Sequence, residues 1–238
     1  GLGDVYKRQK YNYSVLLFFG LIVLLPFIGI FSKINFDLDN IYNFFQNSYT
    51  HRLIYFSLYQ AFLSAILSCF LAIPFALALN RHKNLKIIKF IISLCGFCFV
   101  IPTILIVFAV IKLFGNNGFY NSYFNLYENL SIETIFGIKA ILIAHILLNT
   151  PFATRLFFQS LNSIPLKYYE ISSSLNITFF GNLLKLEIPY IRQNFFTVFS
   201  IIFSLCFLSF AIVMALGGGP MYSTIEVAIY QYALFELN

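Results

Sequence analysis

The feature that most limits how this chain can fold is a series of long apolar runs separated by short polar connections. A helix needs about 20 consecutive apolar residues to cross the hydrocarbon core of a bilayer. The composition agrees, because the chain is 60% hydrophobic and 10% charged, whereas soluble domains are about 25% charged. The sequence therefore predicts an all-α, polytopic membrane protein.

The apolar runs predict about five transmembrane helices, over residues 13–31, 53–79, 90–113, 136–158 and 195–216. No small-residue cleavage site follows the first run, so we interpret it as a retained anchor and not as a signal peptide. Residues 1–12 are predicted to be an N-terminal segment and residues 13–238 the transmembrane domain. Two interpretations of residues 1–9 stay open: a non-native leader, or an ordinary basic cytosolic N-terminus.

The distribution of basic residues predicts the orientation in the membrane. Residues 80–89 contain four basic residues and no acidic one, whereas the connection 114–135 contains Glu128 and Glu133 and no basic residue. Connections rich in Lys and Arg stay in the cytosol. The N-terminus, 80–89 and 160–194 are therefore predicted to be cytosolic, and 114–135 and 217–224 periplasmic. The basic residues form no single run, so the net charge of +6 does not indicate nucleic acid as a partner.

The cytosolic connection 160–194 is predicted to form two short helices. Ser163 is expected to cap the first helix, with Pro165 in its first turn. Asn176 suits a left-handed residue that ends this helix, and Thr178 is expected to cap the second. Pro189 is expected to break or kink the chain before the last span.

The same connection resembles the EAA signature of permease subunits of ATP-binding-cassette (ABC) importers. Glu170 opens the motif, Ile171 and Ser172 replace its two alanines, and Asn176 stands at its glycine position; the motif ends with Leu186, Ile188 and Pro189. The resemblance implies a coupling helix that docks on an ATPase subunit. The residues expected to make this contact are Leu166, Tyr169, Glu170, Ser172, Leu175, Asn176, Leu186, Ile188 and Pro189. A generic interfacial hairpin is the alternative.

The resemblance extends beyond the loop. Four segments are similar to the thiamine and ferric-iron branch of these permeases, and the last is nearest to the thiamine permeases; they are 57–81, 101–118, 144–165 and 216–236. Members of this branch usually carry two such halves, so the chain is expected to be an N-terminal half without its final span. The family fold is expected to be incomplete in it.

The resemblance also implies partners and a location. A periplasmic solute-binding protein delivers solute to a pore with alternating access, in the bacterial inner membrane, and a second permease half completes that pore within the lipid bilayer. ATP is bound by the separate ATPase subunit, so no cofactor and no enzymatic activity are expected of this chain. The sequence contains no GxxxxGK[ST] phosphate-binding loop, in agreement with that division.

Polar residues within the spans are candidates for the translocation path: Gln60, His145 and Asn149. His145 and Asn149 share one helix face, and an ionisable residue within a span indicates function by default. The alternative for His145 is a neutral side chain hydrogen-bonded to a neighbouring helix. Gln60 lies beside a stripe of small residues predicted to allow close helix packing: Ser57, Ala61, Ser64, Ala65, Ser68 and Ala72.

Two further patterns in the sequence carry expectations. Cys95 and Cys98 have no second Cys or His pair at zinc-like spacing, so they are expected to be apolar filler and no metal site is predicted. Ser223 and Glu226 are expected to form a capping box for a helix on the outer membrane surface.

An ion-coupled secondary transporter is the rival function. Such proteins usually place acidic residues at mid-membrane, and none of the predicted spans contains an acidic residue.

Overall fold

A computed structural model of the chain describes residues 2–32, 38–115, 118–124 and 136–235. Every regular element within these ranges is helical, as the sequence predicts. The chain divides into two units, Gly1–Thr50 and His51–Asn238. Two acidic residues of the connection 114–135, Glu128 and Glu133, lie outside the described residues.

The first unit contains α1 (Leu2–Phe31), α2 (Leu38–Gln46) and the start of α3. The second unit contains the rest of α3 (Ser48–Arg81), α4 (Lys86–Phe97), α5 (Thr103–Phe114), α6 (Phe119–Phe124), α7 (Ile138–Asn162), α8 (Leu166–Ser174), α9 (Phe179–Asn182), a π-helical segment (Leu183–Glu187), α10 (Ile188–Phe207), α11 (Phe210–Leu216), a 3-10 turn (Pro220–Tyr222) and α12 (Ile225–Phe235).

Three helices in the described part are long and apolar enough to cross a membrane: Ser48–Arg81, Ile138–Asn162 and Phe179–Phe207. Two shorter apolar helices, Tyr13–Gly29 and Thr103–Phe114, correspond to parts of other predicted spans. The second and fourth predicted spans are therefore single helices, each a few residues longer than expected. The third and fifth differ from the prediction.

The third predicted span, 90–113, is interrupted. Helix α4 ends at Phe97 and α5 begins at Thr103, after Pro102. Proline disfavours helical geometry in the residue before it and donates no backbone hydrogen bond, so it separates two helices within one apolar run. Hydropathy alone does not distinguish this arrangement from a continuous span.

The fifth predicted span, 195–216, is interrupted as well. Helix α10 ends at Phe207, and α11 begins at Phe210 after a non-helical Ser209. At its other end the helix reaches back to Phe179, so Pro189 does not break the chain, which was one of the two outcomes expected of it. The other outcome, a kink, stays a prediction. The π-helical segment before Pro189 widens the helix locally, and such segments accommodate a disturbed backbone ladder without ending the helix.

The small-residue stripe of α3 is buried, which confirms the packing prediction. Ala61, Ala65 and Ala72 are fully buried and pack in one apolar cluster with Phe157 of α7 and Ile202 of α10. Ser57, Ser64 and Ser68 on the same helix are buried too. Small side chains allow helix backbones to approach closely, which supports association where no hydrophobic effect acts between helices.

Contacts at one end of the second unit bring two of the connections that were predicted to be cytosolic together. At this end, Lys83 Nζ donates to Asn162 Oδ1 at 3.3 Å, which places 80–89 beside 160–194. At the opposite end, the N–H of Gly137 donates to the carbonyl of Leu216 at 2.8 Å. Which end faces the cytosol stays a prediction.

Two predicted caps are wrong. Helix α7 continues to Asn162, so Ser163 lies at its end and donates to the carbonyl of Ser160 at 2.6 Å, while α8 begins only after Pro165. At α12, Ser223 donates its hydroxyl to the carbonyl of Gly219 at 3.4 Å. The N–H of Ile225 is instead capped by Ser57 Oγ of α3 at 3.0 Å.

Candidate functional site

The first candidate site is the docking loop, which we define as residues 166–189. Helix α8 ends in a turn at Asn176, whose φ of 50° is the one positive value at a non-glycine residue in the described part of the chain. The N–H of Ile177 returns to the carbonyl of Ser172 at 3.0 Å. This bond pattern is typical of a helix that ends in a left-handed residue, so the predicted turn is confirmed.

The second arm of the docking loop begins as predicted. Thr178 Oγ1 accepts from the N–H of Gly181 at 3.3 Å, which satisfies one of the free donors of α9. A side-chain hydrogen bond then joins the arms, since Ser172 Oγ donates to Asn182 Oδ1. The loop is therefore a closed hairpin of two short helices.

The predicted docking residues do not share one face. Leu166 and Leu175 are about two-thirds exposed, and Glu170, Asn176, Ile188 and Pro189 are also exposed. Tyr169 and Leu186 are half-buried against the apolar core, and Ser172 is buried. The inward-facing residues hold the hairpin in place, so only the exposed set is free to meet a partner.

Sequence reasoning missed three exposed apolar side chains on the second arm, Phe179, Phe180 and Leu184. Large apolar side chains exposed at one site indicate an interaction surface. The signal was present in the sequence, because these residues directly follow the predicted turn. The prediction of docking residues followed the EAA motif, whose positions do not include these three residues.

The second candidate site surrounds His145, which α7 places between α3 and the break after α10. His145 Nε2 lies 2.7 Å from Ser209 Oγ, and Nδ1 lies 2.9 Å from Ser64 Oγ. The hydroxyl proton of Ser209 is donated to the carbonyl of Cys206 at 2.8 Å, so Ser209 accepts from Nε2–H. A neutral imidazole satisfies both contacts when Ser64 donates to Nδ1.

This geometry supports the alternative given for His145, a neutral side chain hydrogen-bonded to neighbouring helices. The ring connects α3, α7 and the non-helical residue between α10 and α11. Ser64 and Ser209 were not predicted as its partners, because neither adjoins His145 in sequence. Only the packing of the helices brings the three side chains together.

A cavity of about 210 Å³ lies beside this histidine. Its lining includes residues from both helix breaks, among them Phe99 and Leu208, and His145, Asn149 and Phe152 from α7. Polar cavities in transporters commonly form where membrane helices are discontinuous. Two of the three predicted path residues therefore line one cavity.

Gln60, the third predicted path residue, does not line this cavity. It is fully buried, and its Nε2 donates to the carbonyl of Cys206 at 3.1 Å. Asn149 Nδ2 donates to the Sγ of the same cysteine at 3.2 Å. The amide nitrogen of Gln60 thus links α3 to α10, while its Oε1 is buried without a hydrogen-bond partner in the described part of the chain. Asn149 contacts Cys206 and also lines the cavity.

Arg155 of α7 lies beside this region, and its guanidinium lies against α4. A Cβ at Gly96 would overlap Arg155 Nη1. The missing side chain of Gly96 is thus what gives Arg155 room to lie across α4.

Similar proteins share this sequence over most of its length. Thiamine transport system permease protein ThiP of Haemophilus influenzae is 40% identical over 194 residues, which cover 82% of this chain and 36% of that protein. ThiP of Escherichia coli is 36% identical over 199 residues, 81% of this chain and 36% of that protein. The chain thus spans little more than a third of the length of these relatives. No family model matches it.

A more distant relative is the probable transport system permease protein NifC of Clostridium pasteurianum, 24% identical over 184 residues, which cover 76% of this chain and 60% of that protein. Among solved structures, a chain of a bacterial ABC transporter involved in the import of the acidic polysaccharide alginate superposes with a TM-score of 0.77 at 18% identity. The superposition covers 100% of this chain and 88% of that chain.

A second solved structure, a bacterial alginate ABC transporter in complex with an alginate pentasaccharide-bound periplasmic protein, contains a chain that superposes with a TM-score of 0.75 at 18% identity. At this identity, the likeness establishes the fold alone. Sequence and fold together confirm the resemblance found in the sequence: the chain is homologous, over 82% of its length, to permease proteins of thiamine transport systems, and it has the fold of an ABC transporter chain.

Proposed function

We propose that the chain is part of the permease subunit of an ABC importer in the bacterial inner membrane. It moves solute inward by alternating access, driven by ATP hydrolysis in a separate ATPase subunit. The solute we favour is thiamine, which the names of the relatives support, and ferric iron is next. The structural observation that carries the proposal is the docking loop, a closed hairpin that turns at Asn176.

The proposed partners follow from this function. The ATPase would meet the exposed apolar side chains on both arms of the hairpin, such as Leu175 and Phe180. A periplasmic binding protein would deliver the solute. A partner of this kind is supported by the second alginate transporter structure, which contains a periplasmic protein bound to an alginate pentasaccharide. A second permease half would contact the exposed apolar side chains of the helices, and the lipid bilayer would cover the rest.

We further propose that the cavity between the two helix breaks forms part of the solute path. No charged side chain is among its lining residues, so it suits a solute held by aromatic and amide contacts. Phe99 and Phe152 stack at its edge, with ring centroids 5.0 Å apart. Asn149 supplies an amide beside them.

The test is transport by the full-length permease, reconstituted in proteoliposomes with its ATPase and binding protein. We expect thiamine uptake that requires ATP and is abolished by vanadate. Uptake that follows an imposed proton or sodium gradient without ATP would instead identify an ion-coupled secondary transporter. Uptake of ferric iron but not thiamine would keep the importer and change its solute.

A further inference from the structure

A buried carboxylate in the docking loop was not anticipated from the sequence. Glu187 ends the π-helical segment, and its side chain is only 5% exposed. A buried carboxylate needs a positive partner or hydrogen-bond donors, because its desolvation is costly. The partner is Arg81, whose Nη2 lies 3.5 Å from Glu187 Oε2.

Arg81 makes a second contact with the same arm of the loop. Its guanidinium carbon lies 3.8 Å from the centroid of the Phe179 ring, within the range of a cation–π interaction. Phe179 begins α9 and Glu187 ends the π-helical segment. The last residue of α3 therefore contacts the second arm of the docking loop at both ends.

The first arm of the loop reaches the same place. Tyr169 of α8 lines a cavity of about 280 Å³ together with Asn80, Arg81 and Glu187. Burial raises the pKa of Tyr169, and the negative charge of Glu187 raises this pKa further. The phenol therefore keeps its proton beside the carboxylate. Both arms of the docking loop thus meet the end of α3.

Helix α3 extends from this contact into the membrane cluster. Ser64, which is hydrogen-bonded to His145, lies 17 residues before Arg81 on the same helix, a distance of about 25 Å at 1.5 Å per residue. One continuous helix therefore has the docking loop at its end and the histidine beside the cavity near its middle.

We propose that Arg81 and Glu187 form a coupling link, which makes α3 move together with the docking loop when the ATPase displaces it. The link rests on the proposed function and adds two positioning residues to it. Without the ion pair, the ATPase still binds the exposed face of the loop. The movement of the docking loop is then no longer transmitted fully to α3 and the cavity.

The experiment uses the full-length permease reconstituted with its ATPase and binding protein. Three variants are compared with the parent: Glu187→Gln, Arg81→Gln, and the reversed pair Arg81→Glu with Glu187→Arg. The readouts are ATPase co-purification and the ratio of thiamine taken up to ATP hydrolysed. Lys89→Gln is the control, because it removes a cation from the same basic connection, away from the link.

We expect both single variants to retain the ATPase but to lower the uptake-to-ATP ratio about five-fold or more, the lower end of typical coupling between sites. The reversed pair should recover part of that ratio, because it restores opposite charges. A purely structural role would lower the amount of folded permease without changing the ratio. An unchanged ratio in the single variants, or a reversed pair no better than either of them, would overturn the link.

If Glu187→Gln lowers the yield of folded permease, Phe179→Leu provides the second measurement. This side chain is 54% exposed, and the change removes only the ring beneath the guanidinium. The ratio should again fall, though less, and an unchanged ratio would contradict the proposal. If the parent itself shows no ATP-dependent uptake, the proposed function fails first.

Discussion

At the scale of single residues, the structure distinguishes polar side chains that stabilise the helix packing from those available to bind a solute. His145 has both ring nitrogens occupied by serine hydroxyls, and Gln60 is fully buried on a backbone carbonyl. Asn149 differs, because its amide nitrogen meets a thiol, a weak acceptor, and the residue lines the cavity. We therefore assign solute contact to Asn149 ahead of the other two.

Replacing Asn149 with leucine tests this assignment. The change keeps the number and branching of the side-chain heavy atoms and removes the amide, so thiamine uptake by the full-length permease should fall about ten-fold, the equivalent of one lost hydrogen bond of about 1.4 kcal/mol. ATPase co-purification should stay normal. Ser204→Ala is the control, since Ser204 is exposed and donates within its own helix. Parental uptake by the leucine variant would remove Asn149 from the path.

The turn at Asn176 gives a second prediction at this scale. Its φ of 50° is accessible to Asn and Gly but strained for a β-branched residue. Asn176→Val should cost about 1–2 kcal/mol at this position, misalign the two arms and uncouple ATP hydrolysis from thiamine uptake. Asn176→Gly should behave as the parent, since glycine enters this conformation without penalty.

Uptake and ATPase co-purification distinguish the two Asn176 variants, provided that both insert into the membrane to the same level. If the valine variant binds the ATPase and transports thiamine like the parent, the hairpin is not the coupling element. If the glycine variant fails, the asparagine side chain itself makes a contact that the backbone conformation does not explain.

At the scale of elements, breaks and tight contacts define the architecture more than helix length does. Two predicted spans are interrupted, after α4 and after α10, and both breaks line the same cavity. At the end opposite the docking loop, Gly137 has a φ of 102° and its N–H is bonded to the carbonyl of Leu216. A Cβ at Gly137 would lie 2.9 Å from the ring of Tyr222.

Gly137→Ala should therefore destabilise the permease by about 1–3 kcal/mol, the cost of holding a side chain in a disfavoured backbone conformation, with the crowding of Tyr222 in addition. The thermal midpoint of the detergent-solubilised protein measures the effect. Gly20→Ala is the matched control, because a Cβ there meets nothing within 4 Å. Equal midpoints for the two variants would show that the strained turn at Gly137 does not limit stability.

At the scale of the whole molecule, the two basic connections 80–89 and 160–194 share one end of the second unit. Lys83 contacts Asn162, and Arg81 contacts Glu187, so 80–89 and 160–194 lie together. The positive charge of this end predicts that it faces the cytosol. The proposed ATPase partner of the docking loop would lie on that side, so the proposed function and the charge predict the same orientation.

Cysteine labelling tests the orientation. In the full-length permease with the native cysteines replaced, Asn84→Cys should react with an impermeant reagent only from the cytosolic side. Met221→Cys should react only from the periplasmic side, since Met221 is 66% exposed near the opposite end. Labelling of Asn84→Cys from the periplasm would reverse the topology and place the docking loop out of reach of any cytosolic ATPase.

The sequence by itself determined the all-α membrane class, the spans α3 and α7, the family resemblance, and the turn at Asn176. Each of these follows from local properties: the length of an apolar run, the spacing of a motif, or the backbone preference of one residue. The small-residue stripe of α3 was predicted for the same reason, because helical periodicity places its members on one face.

Only the tertiary structure decided which polar residues meet. The contacts of His145 with Ser64 and Ser209, and of Arg81 with Glu187, join residues 64 to 106 positions apart, and no local pattern encodes them. The interruptions within the third and fifth predicted spans escaped hydropathy as well, because an apolar run looks the same whether its helix is continuous or broken. Their consequence, a cavity lined from both breaks, depends on how the helices pack.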